Sequence, residues 1–378
     1  MFSLRFRLVV TVLMGVLLAQ GMPVAAAAMR DEVFQVEKSH TLFTVQLSVR
    51  LFAPLGPGPF PLIVINHGKA PGKAFMQQDR AFYFQAREFV KRGYAVLVPT
   101  REGFGSSGGH FQEQACNAAH TGELQADDIE LSINYAKTLP YVDGSRIVVI
   151  GQSVGGLATM ALGERNLPGV LGLIDMAGGI RYDSCAGWRQ GDIDAFAQYG
   201  AQSRAPALMI YGDNDTYWGP GPEMPKALST AYRQAGGRAT FVDVGVFKQD
   251  SHNTFSDPDG MALWAPAVKD FLAALNLPFD ERYSLRNPQP DGVDVEDIDA
   301  VPTSSRACKQ LYANHFLGAD PKTHRAFALS DDGHCGYATG EDSAQRALGF
   351  CAQHGAQGCA LYAQDEKVVS SQAQSGAN

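Results

Sequence analysis

A serine near the middle of the chain lies between a strand-like and a helix-like segment, a position typical of a catalytic nucleophile. Residues 146–150 are an apolar, strand-like run that leads into Gly-x-Ser-x-Gly, with Ser153 at its centre and a helix-like stretch behind it. A hydroxyl is a poor nucleophile at neutral pH, so it needs a base for its proton and N–H donors for the oxyanion. A tight strand-to-helix turn provides both and leaves little room beyond hydrogen at Gly151 and Gly155. The pattern predicts nucleophilic catalysis by Ser153.

A serine nucleophile of this kind needs an acid and a base from later strand ends, in the order serine, acid, histidine. The apolar run that ends at Tyr211 is followed by Gly-Asp-Asn-Asp, and His252 is the one histidine between that point and residue 287. We expect His252 to accept the serine proton and later deliver it to the leaving group. Asp215, beyond the turn, is our choice to orient the imidazole, and Asp213 is the alternative.

Two backbone donors would form the oxyanion hole. The N–H of Val154 starts the helix after the serine, where the helix dipole favours negative charge. The second donor is expected in the loop after Asn66-His-Gly, at the N–H of Lys69, because Gly68 lets the chain turn there. We interpret His67 as a structural residue that braces this loop.

Two further residues are candidates for substrate binding. Arg101 follows a predicted strand and could hold a substrate carboxylate in a bidentate pair, although it could equally pair with Glu102 or another nearby acid. Trp218 could line an acyl pocket, but aromatic residues near strand ends are more often ordinary packing.

Between Val33 and about Leu277, apolar strand-like runs alternate with amphipathic helical stretches. This alternation predicts an α/β fold with a mostly parallel, doubly wound sheet covered by helices on both faces. Parallel strands place their carboxyl ends at one edge of the sheet, so the residues named above are expected to meet there. A helix is predicted over residues 75–92 and another over 123–139.

The region from about Thr41 to Leu277 resembles the α/β-hydrolase superfamily, in its dienelactone-hydrolase-like branch. The resemblance rests on short motifs: Asn66-His-Gly68, Arg101 to Gly108, Gly151 to Gly156, Gly212 to Asp215, and Ser251-His252. It implies an α/β-hydrolase fold that cleaves small esters or peptides. Dienelactone hydrolases themselves carry a cysteine nucleophile, whereas this chain has Ser153, so the dienelactone is not the expected substrate.

A change of composition divides the chain. Residues 285–305 are rich in proline and acidic residues, which is typical of a linker. We therefore expect a catalytic domain over residues 29–284 and a small α+β module with four cysteines over residues 306–378. A module of this size buries little apolar surface, so disulfides would stabilise it. Because it is small and follows the hydrolase, we interpret it as an appendage rather than a gate.

The first residues predict export. Residues 1–28 combine arginines, an apolar stretch and a final Ala-rich run, as in a signal peptide cleaved after Ala28, with a retained anchor as the alternative. The six cysteines are consistent with export to an oxidising compartment, either the periplasm or the extracellular space. Cys116 with Cys185, Cys308 with Cys335 and Cys351 with Cys359 are reasonable pairs, although spacing alone does not determine connectivity.

The predicted function is that of an exported serine hydrolase that cleaves carboxylic esters through an acyl-enzyme. An exopeptidase or amidase of the same fold is the alternative within this chemistry. A non-catalytic envelope-binding protein, with the C-terminal module as its active part, is the alternative from another class. We expect a small-molecule ester as substrate and no metal or organic cofactor, and the module is a candidate for binding an envelope partner. The net charge of −8 has no basic stripe and gives no support for nucleic-acid binding.

Overall fold

A computed structural model describes residues 29–283 apart from 115 and 220, residue 295, and residues 298–369 apart from 321, 322, 331, 354, 355 and 357. The predicted signal peptide, residues 1–28, and most of the predicted linker, residues 285–305, lie outside the described residues. In the part of the chain that is described, no helix is both long enough and apolar enough to cross a lipid bilayer.

The large sheet contains eight strands in the order β1-β2-β4-β3-β5-β6-β7-β8. β2 runs antiparallel to β1 and β4, and the remaining neighbours are parallel. This strand order is that of the α/β-hydrolase fold, as the sequence predicts. The strands are β1 (Arg30–Ser39), β2 (Thr44–Ala53), β3 (Phe60–Asn66), β4 (Ala95–Pro99), β5 (Val142–Gln152), β6 (Val170–Met176), β7 (Ala207–Tyr211) and β8 (Ala239–Asp243).

Helices cover both faces of this sheet: α1 (Tyr83–Lys91), α2 (Ala118–Ala136), α3 (Val154–Gly163), α4 (Trp188–Gln202), α5 (Glu223–Gln234) and α6 (Met261–Ala274). Side chains of one strand alternate between two cores, since successive residues point to opposite faces. In β3, Leu62 and Val64 pack with α2 to α5, whereas Ile63 and Ile65 pack with α1 and α6. Burial on both faces explains why the central strands are uninterrupted apolar runs.

The predicted helix over residues 75–92 is wrong at its start. Only a short 3₁₀ turn covers Ala74–Met76, and α1 begins at Tyr83. The polar residues between them make long-range contacts instead: Asp79 accepts hydrogen bonds from the backbone N–H and hydroxyl of Ser106. The helix predicted over residues 123–139 lies at Ala118–Ala136, because Asn117 caps it with a hydrogen bond from the N–H of His120.

The C-terminal module has its own antiparallel sheet, in the order β10-β9-β11-β12. Its core includes the aromatic side chains of Tyr312, Phe327 and Tyr362, and disulfides join Cys308 to Cys335 and Cys351 to Cys359. The prediction of a small disulfide-containing α+β module is confirmed. Its elements are α7 (Arg306–Leu311), which continues as a wider turn to Phe316, β9 (Arg325–Leu329), β10 (Cys335–Thr339), α8 (Ser343–Ala352), β11 (Ala360–Gln364) and β12 (Lys367–Val368).

The module packs against the α/β-hydrolase part of the chain. Arg80 Nη1 lies 2.8 Å from Glu341 Oε2, and the ring of Tyr83 meets the ring of His324 edge-on with centroids 4.4 Å apart. Burial raises the pKa of Glu341, while the Arg80 guanidinium acts in the opposite direction. Arg80, just before α1, and Tyr83, the first residue of α1, thus both contact the module.

Candidate active site

Ser153 occupies a strained turn between β5 and α3. Its φ of 56° and ψ of −124° are unusual for a residue with a side chain, and such a conformation costs about 1–3 kcal/mol. Backbone hydrogen bonds hold it in place: Ser153 N–H donates to the carbonyl of Met176, and the N–H of Gly179 donates to the carbonyl of Ser153. The turn presents the hydroxyl beside the carboxyl ends of the strands.

The glycines of the motif are required by close backbone contacts. A Cβ at Gly151 would lie 2.0 Å from the carbonyl oxygen of Gly155. A Cβ at Gly155 would lie 2.3 Å from the carbonyl oxygen of Asn66, at the end of β3. Both distances are far below van der Waals contact, so only hydrogen fits at either position. The side chain of Asn66 also fixes this junction, because its Nδ2 donates to Thr159 Oγ1 and to the carbonyl of Ile150.

His252 and Asp215 form a buried hydrogen-bonded pair. The distance from His252 Nδ1 to Asp215 Oδ2 is 2.9 Å, and the Asp215 side chain is only 1% exposed. The other carboxylate oxygen accepts the backbone N–H groups of Tyr217 and Trp218. The Tyr217 ring stacks on the imidazole with centroids 4.9 Å apart. The carboxylate is thus fixed on one side by the backbone and on the other by the imidazole.

Asp213, the alternative acid, does not reach the imidazole. It lies beside Asp243 near the end of β8, where burial and the neighbouring carboxylate raise its pKa. Its backbone N–H donates to the carbonyl of Gly245. Of the two carboxylates after β7, the structure therefore joins only Asp215 to His252.

Gln152 connects the histidine loop to the serine turn. Its Nε2 donates to the carbonyl of His252 at 2.8 Å and lies 3.3 Å from Ser256 Oγ. No hydrogen bond between Ser153 Oγ and the His252 ring is found among the described residues. Hydrogen bonds of this type are often long or poorly aligned until a substrate is bound.

The predicted oxyanion donors lie on the two expected segments. Val154 is the first residue of α3, and Gly68 lies so close to the serine turn that a Cβ there would be 3.5 Å from Ser153 Oγ. Lys69 follows, and the next residue is held by Gln77, whose side-chain amide exchanges two 2.9 Å hydrogen bonds with the backbone of Ala70. In the described structure the N–H groups of Val154 and Lys69 have no acceptor.

His67 braces two loops. The N–H of Arg101 donates to His67 Nε2, and His67 Nδ1 lies 2.7 Å from the carbonyl of Gly68. Because Nε2 accepts this hydrogen bond, it carries no proton, and the proton of the ring is on Nδ1. Burial lowers the pKa of His67 well below its usual range, which keeps the ring neutral.

Arg101 is completely buried and lacks a salt-bridge partner among the described residues. Its Nε donates to Gln125 Oε1 at 2.9 Å, whereas neither terminal nitrogen has a hydrogen-bond partner. Burial lowers its pKa to about 10, an effect that Asp128 opposes. The alternative pairing with Glu102 is wrong, because that carboxylate binds Lys38 and His40 instead.

Trp218 forms part of the wall beside His252. It is almost fully buried, packs against Trp188, and lies 6.4 Å from the imidazole, centroid to centroid. A disulfide between Cys116 and Cys185 joins the segment before α2 to the segment before α4 on this side of the sheet. The wall is thus packed and covalently cross-linked.

Among the described residues, no group of three or more His, Cys, Asp or Glu side chains is placed to hold a metal ion.

Gln152 and Gln77 are the main site residues that the sequence does not reveal. Gln152 stands at a position of the Gly-x-Ser-x-Gly motif that accepts any residue, and Gln77 acts on a segment seven residues earlier. Neither leaves a local signal in the sequence.

The strand order, the strained serine turn and the Asp215–His252 pair are those of a hydrolase with the α/β-hydrolase fold. Residues 80–167 match the model of the prolyl oligopeptidase family. This match includes Ser153 but ends before Asp215 and His252.

A curated relative is the quorum-quenching protein AidA of Acinetobacter baumannii, 34% identical over 124 residues. The match covers 32% of this chain and 38% of the length of that protein. The chain thus spans well under half of this relative.

Similar solved structures include hydrolases of several kinds. A protein described as a dienelactone hydrolase from Klebsiella pneumoniae is 13% identical, with a TM-score of 0.46 over 66% of this chain and 99% of its own. The esterase Est1E of Butyrivibrio proteoclasticus, solved with ferulic acid, is 20% identical, with a TM-score of 0.45 over 61% of this chain and 96% of its own. The fold assignment rests on the strand order and not on these similarities.

Proposed function

We propose that this hydrolase cleaves carboxylic esters with Ser153 as nucleophile, His252 as general base and acid, and Asp215 as the orienting acid. The observation that carries the proposal is the Asp215–His252 pair, whose histidine carbonyl accepts a hydrogen bond from Gln152, the residue directly before a serine held in a strained turn. A structural serine gives no reason for such strain, whereas a nucleophile presented to a base does.

The proposed reaction has two stages. His252 Nε2 accepts the Ser153 proton as Oγ attacks the carbonyl carbon, and the N–H groups of Val154 and Lys69 bind the resulting oxyanion. When the intermediate collapses, the imidazolium gives its proton to the alcohol oxygen, which leaves as the free alcohol. Water then attacks the acyl-enzyme with the same base, which releases the acid and restores the serine.

A second candidate function is peptide or amide hydrolysis by the same residues. The match of residues 80–167 to the prolyl oligopeptidase family favours it. Because triad enzymes of one fold hydrolyse both kinds of bond, the leaving group decides between the two.

We also propose roles for the remaining candidates. The unpaired nitrogens of Arg101 suit a substrate carboxylate, provided that the site opens to admit one, and Trp218 would support the acyl pocket. The catalytic domain would span residues 29–284 and the module residues 306–378. Three disulfides are consistent with export to the periplasm or beyond, directed by residues 1–28.

The test is a panel of chromogenic acyl esters and aminoacyl amides of graded chain length. We expect the wild-type protein to hydrolyse short esters, and Ser153→Ala and His252→Ala each to lose at least about 10³-fold in kcat, with little further loss in the double variant. Ser184→Ala, at an exposed position, and His120→Ala, at a partly exposed one, are the matched controls. Near-normal esterase activity in a folded His252→Ala protein would refute the assignment, and a preference for amides would favour the second candidate.

A further inference from the structure

A polar cleft of about 670 Å³ separates the C-terminal module from the hydrolase domain. One wall runs from Ala70 to Arg80, a second from Lys248 to Asp259, and the third is contributed by the module between Thr339 and Arg346. Small-molecule sites in proteins typically measure about 300–1,000 Å³, so the cleft is large enough for one.

The cleft is lined by direct neighbours of two of the proposed catalytic groups. Ala70 directly follows Lys69, and Asn253 directly follows His252. Ser256, on the same wall, lies within hydrogen-bond distance of the Gln152 side chain, which belongs to the residue before the nucleophile. The cleft thus lies between the module and the segments that flank the catalytic centre, although Ser153, His252 and Asp215 are not among its lining residues.

Its lining suits an uncharged, hydrogen-bonding group. The charges on the walls are largely compensated, since Lys248 lies 2.7 Å from both Asp257 and Asp259, and Arg80 pairs with Glu341. An ionic ligand would have to compete with these pairs. Every lining residue carries a polar or charged side chain except Ala70, Pro258 and Gly340. An apolar chain would therefore desolvate polar groups without replacing their hydrogen bonds.

The chemistry of the proposed reaction indicates which part of the substrate lies here. His252 protonates the leaving oxygen, so the alcohol lies on the imidazole side of the serine, where Asn253 lines the cleft. We propose that the cleft binds the alcohol part of the ester, that this alcohol is uncharged and polyhydroxylated, and that the C-terminal module selects it by forming one wall. This inference rests on the proposed ester hydrolysis.

The test uses butanoate esters of methanol, of cyclohexylmethanol and of glucose, which share one acyl group and differ in the alcohol. Thr339→Trp narrows the cleft from the module, and Gln78→Trp narrows it from the hydrolase domain. Gln353→Trp, at an exposed module position outside the cleft, is the matched control, and Ser153→Ala measures the background. All variants are compared by kcat/KM in the full-length protein.

We expect the wild-type protein to prefer the glucose ester to the cyclohexylmethyl ester. Both cleft variants should lose at least about tenfold on the glucose ester. They should stay within about threefold of the wild type on the methyl ester, as should the control on all three. Equal losses on every ester, or no loss in either folded variant, would overturn the inference while leaving the proposed function intact. Failure of the wild-type protein to hydrolyse any of the esters would overturn both.

Discussion

Replacing Asp215 with asparagine should reverse the imidazole tautomer. One carboxylate oxygen of Asp215 accepts two backbone N–H groups, from Tyr217 and Trp218, and the other faces Nδ1 of His252. In Asp215→Asn the amide oxygen will keep the position that faces the two donors, which turns the NH₂ group toward Nδ1. The imidazole must then accept at Nδ1 and carry its proton on Nε2, where it cannot act as a base for Ser153.

An equivalent substitution in a serine protease lowers kcat by about 10⁴-fold through the wrong tautomer. We expect a similar loss here, which corresponds to about 5 kcal/mol in the activation free energy. Asp213→Asn is a matched control two residues away, and it should remain within about threefold of the wild type. The assay is hydrolysis of a short chromogenic ester, with circular dichroism and thermal unfolding to establish that each variant is folded. A larger loss in Asp213→Asn than in Asp215→Asn would refute the reasoning.

Two further substitutions test the packing at the serine turn and the pH dependence of the unfolding free energy. Gly155→Ala places a methyl group 2.3 Å from a β3 carbonyl oxygen and should lower kcat at least about 100-fold. Gly187→Ala is the control, because nothing lies within 4 Å of its new Cβ, and it should leave kcat and Tm unchanged. Burial raises the pKa of Asp175 to about 7 from 3.8, so protonation of this carboxyl stabilises the fold at low pH, and that contribution is lost as the pH rises from about 4 to about 7. Asp175→Asn should therefore flatten the decline in unfolding free energy over this window by up to about 1.4 kcal/mol per pH unit, as measured by urea titrations at several pH values. Parallel pH profiles for the two proteins would contradict this assignment.

The parts of the fold that could be predicted from the sequence are those with a local cause. β3 and residues 147–150 of β5 are apolar runs because both of their faces are buried, and the serine turn follows from two glycines that no other residue could replace. The edge strand β1 was not predicted as a strand. It alternates exposed and half-buried positions and carries charged residues along most of its length, so its apolar signal is weak.

The parts that could not be predicted depend on contacts between distant residues. Residues 77–80 read as helix by composition, but Asp79 binds the loop after β4 and Arg80 binds Glu341 in the module. The position of the module beside the catalytic edge depends on such contacts, and so does the role of Gln152. The expectation of a simple appendage followed from the size and order of the module, which carry no information about where it docks.

All six cysteines are paired within one part of the chain or the other, and no disulfide joins the two parts. A single proteolytic cut between Tyr283 and Arg306 would convert the protein into two polypeptides held together by noncovalent contacts alone. Module and hydrolase would then dissociate on dilution, and separately produced fragments should recombine when mixed at high concentration.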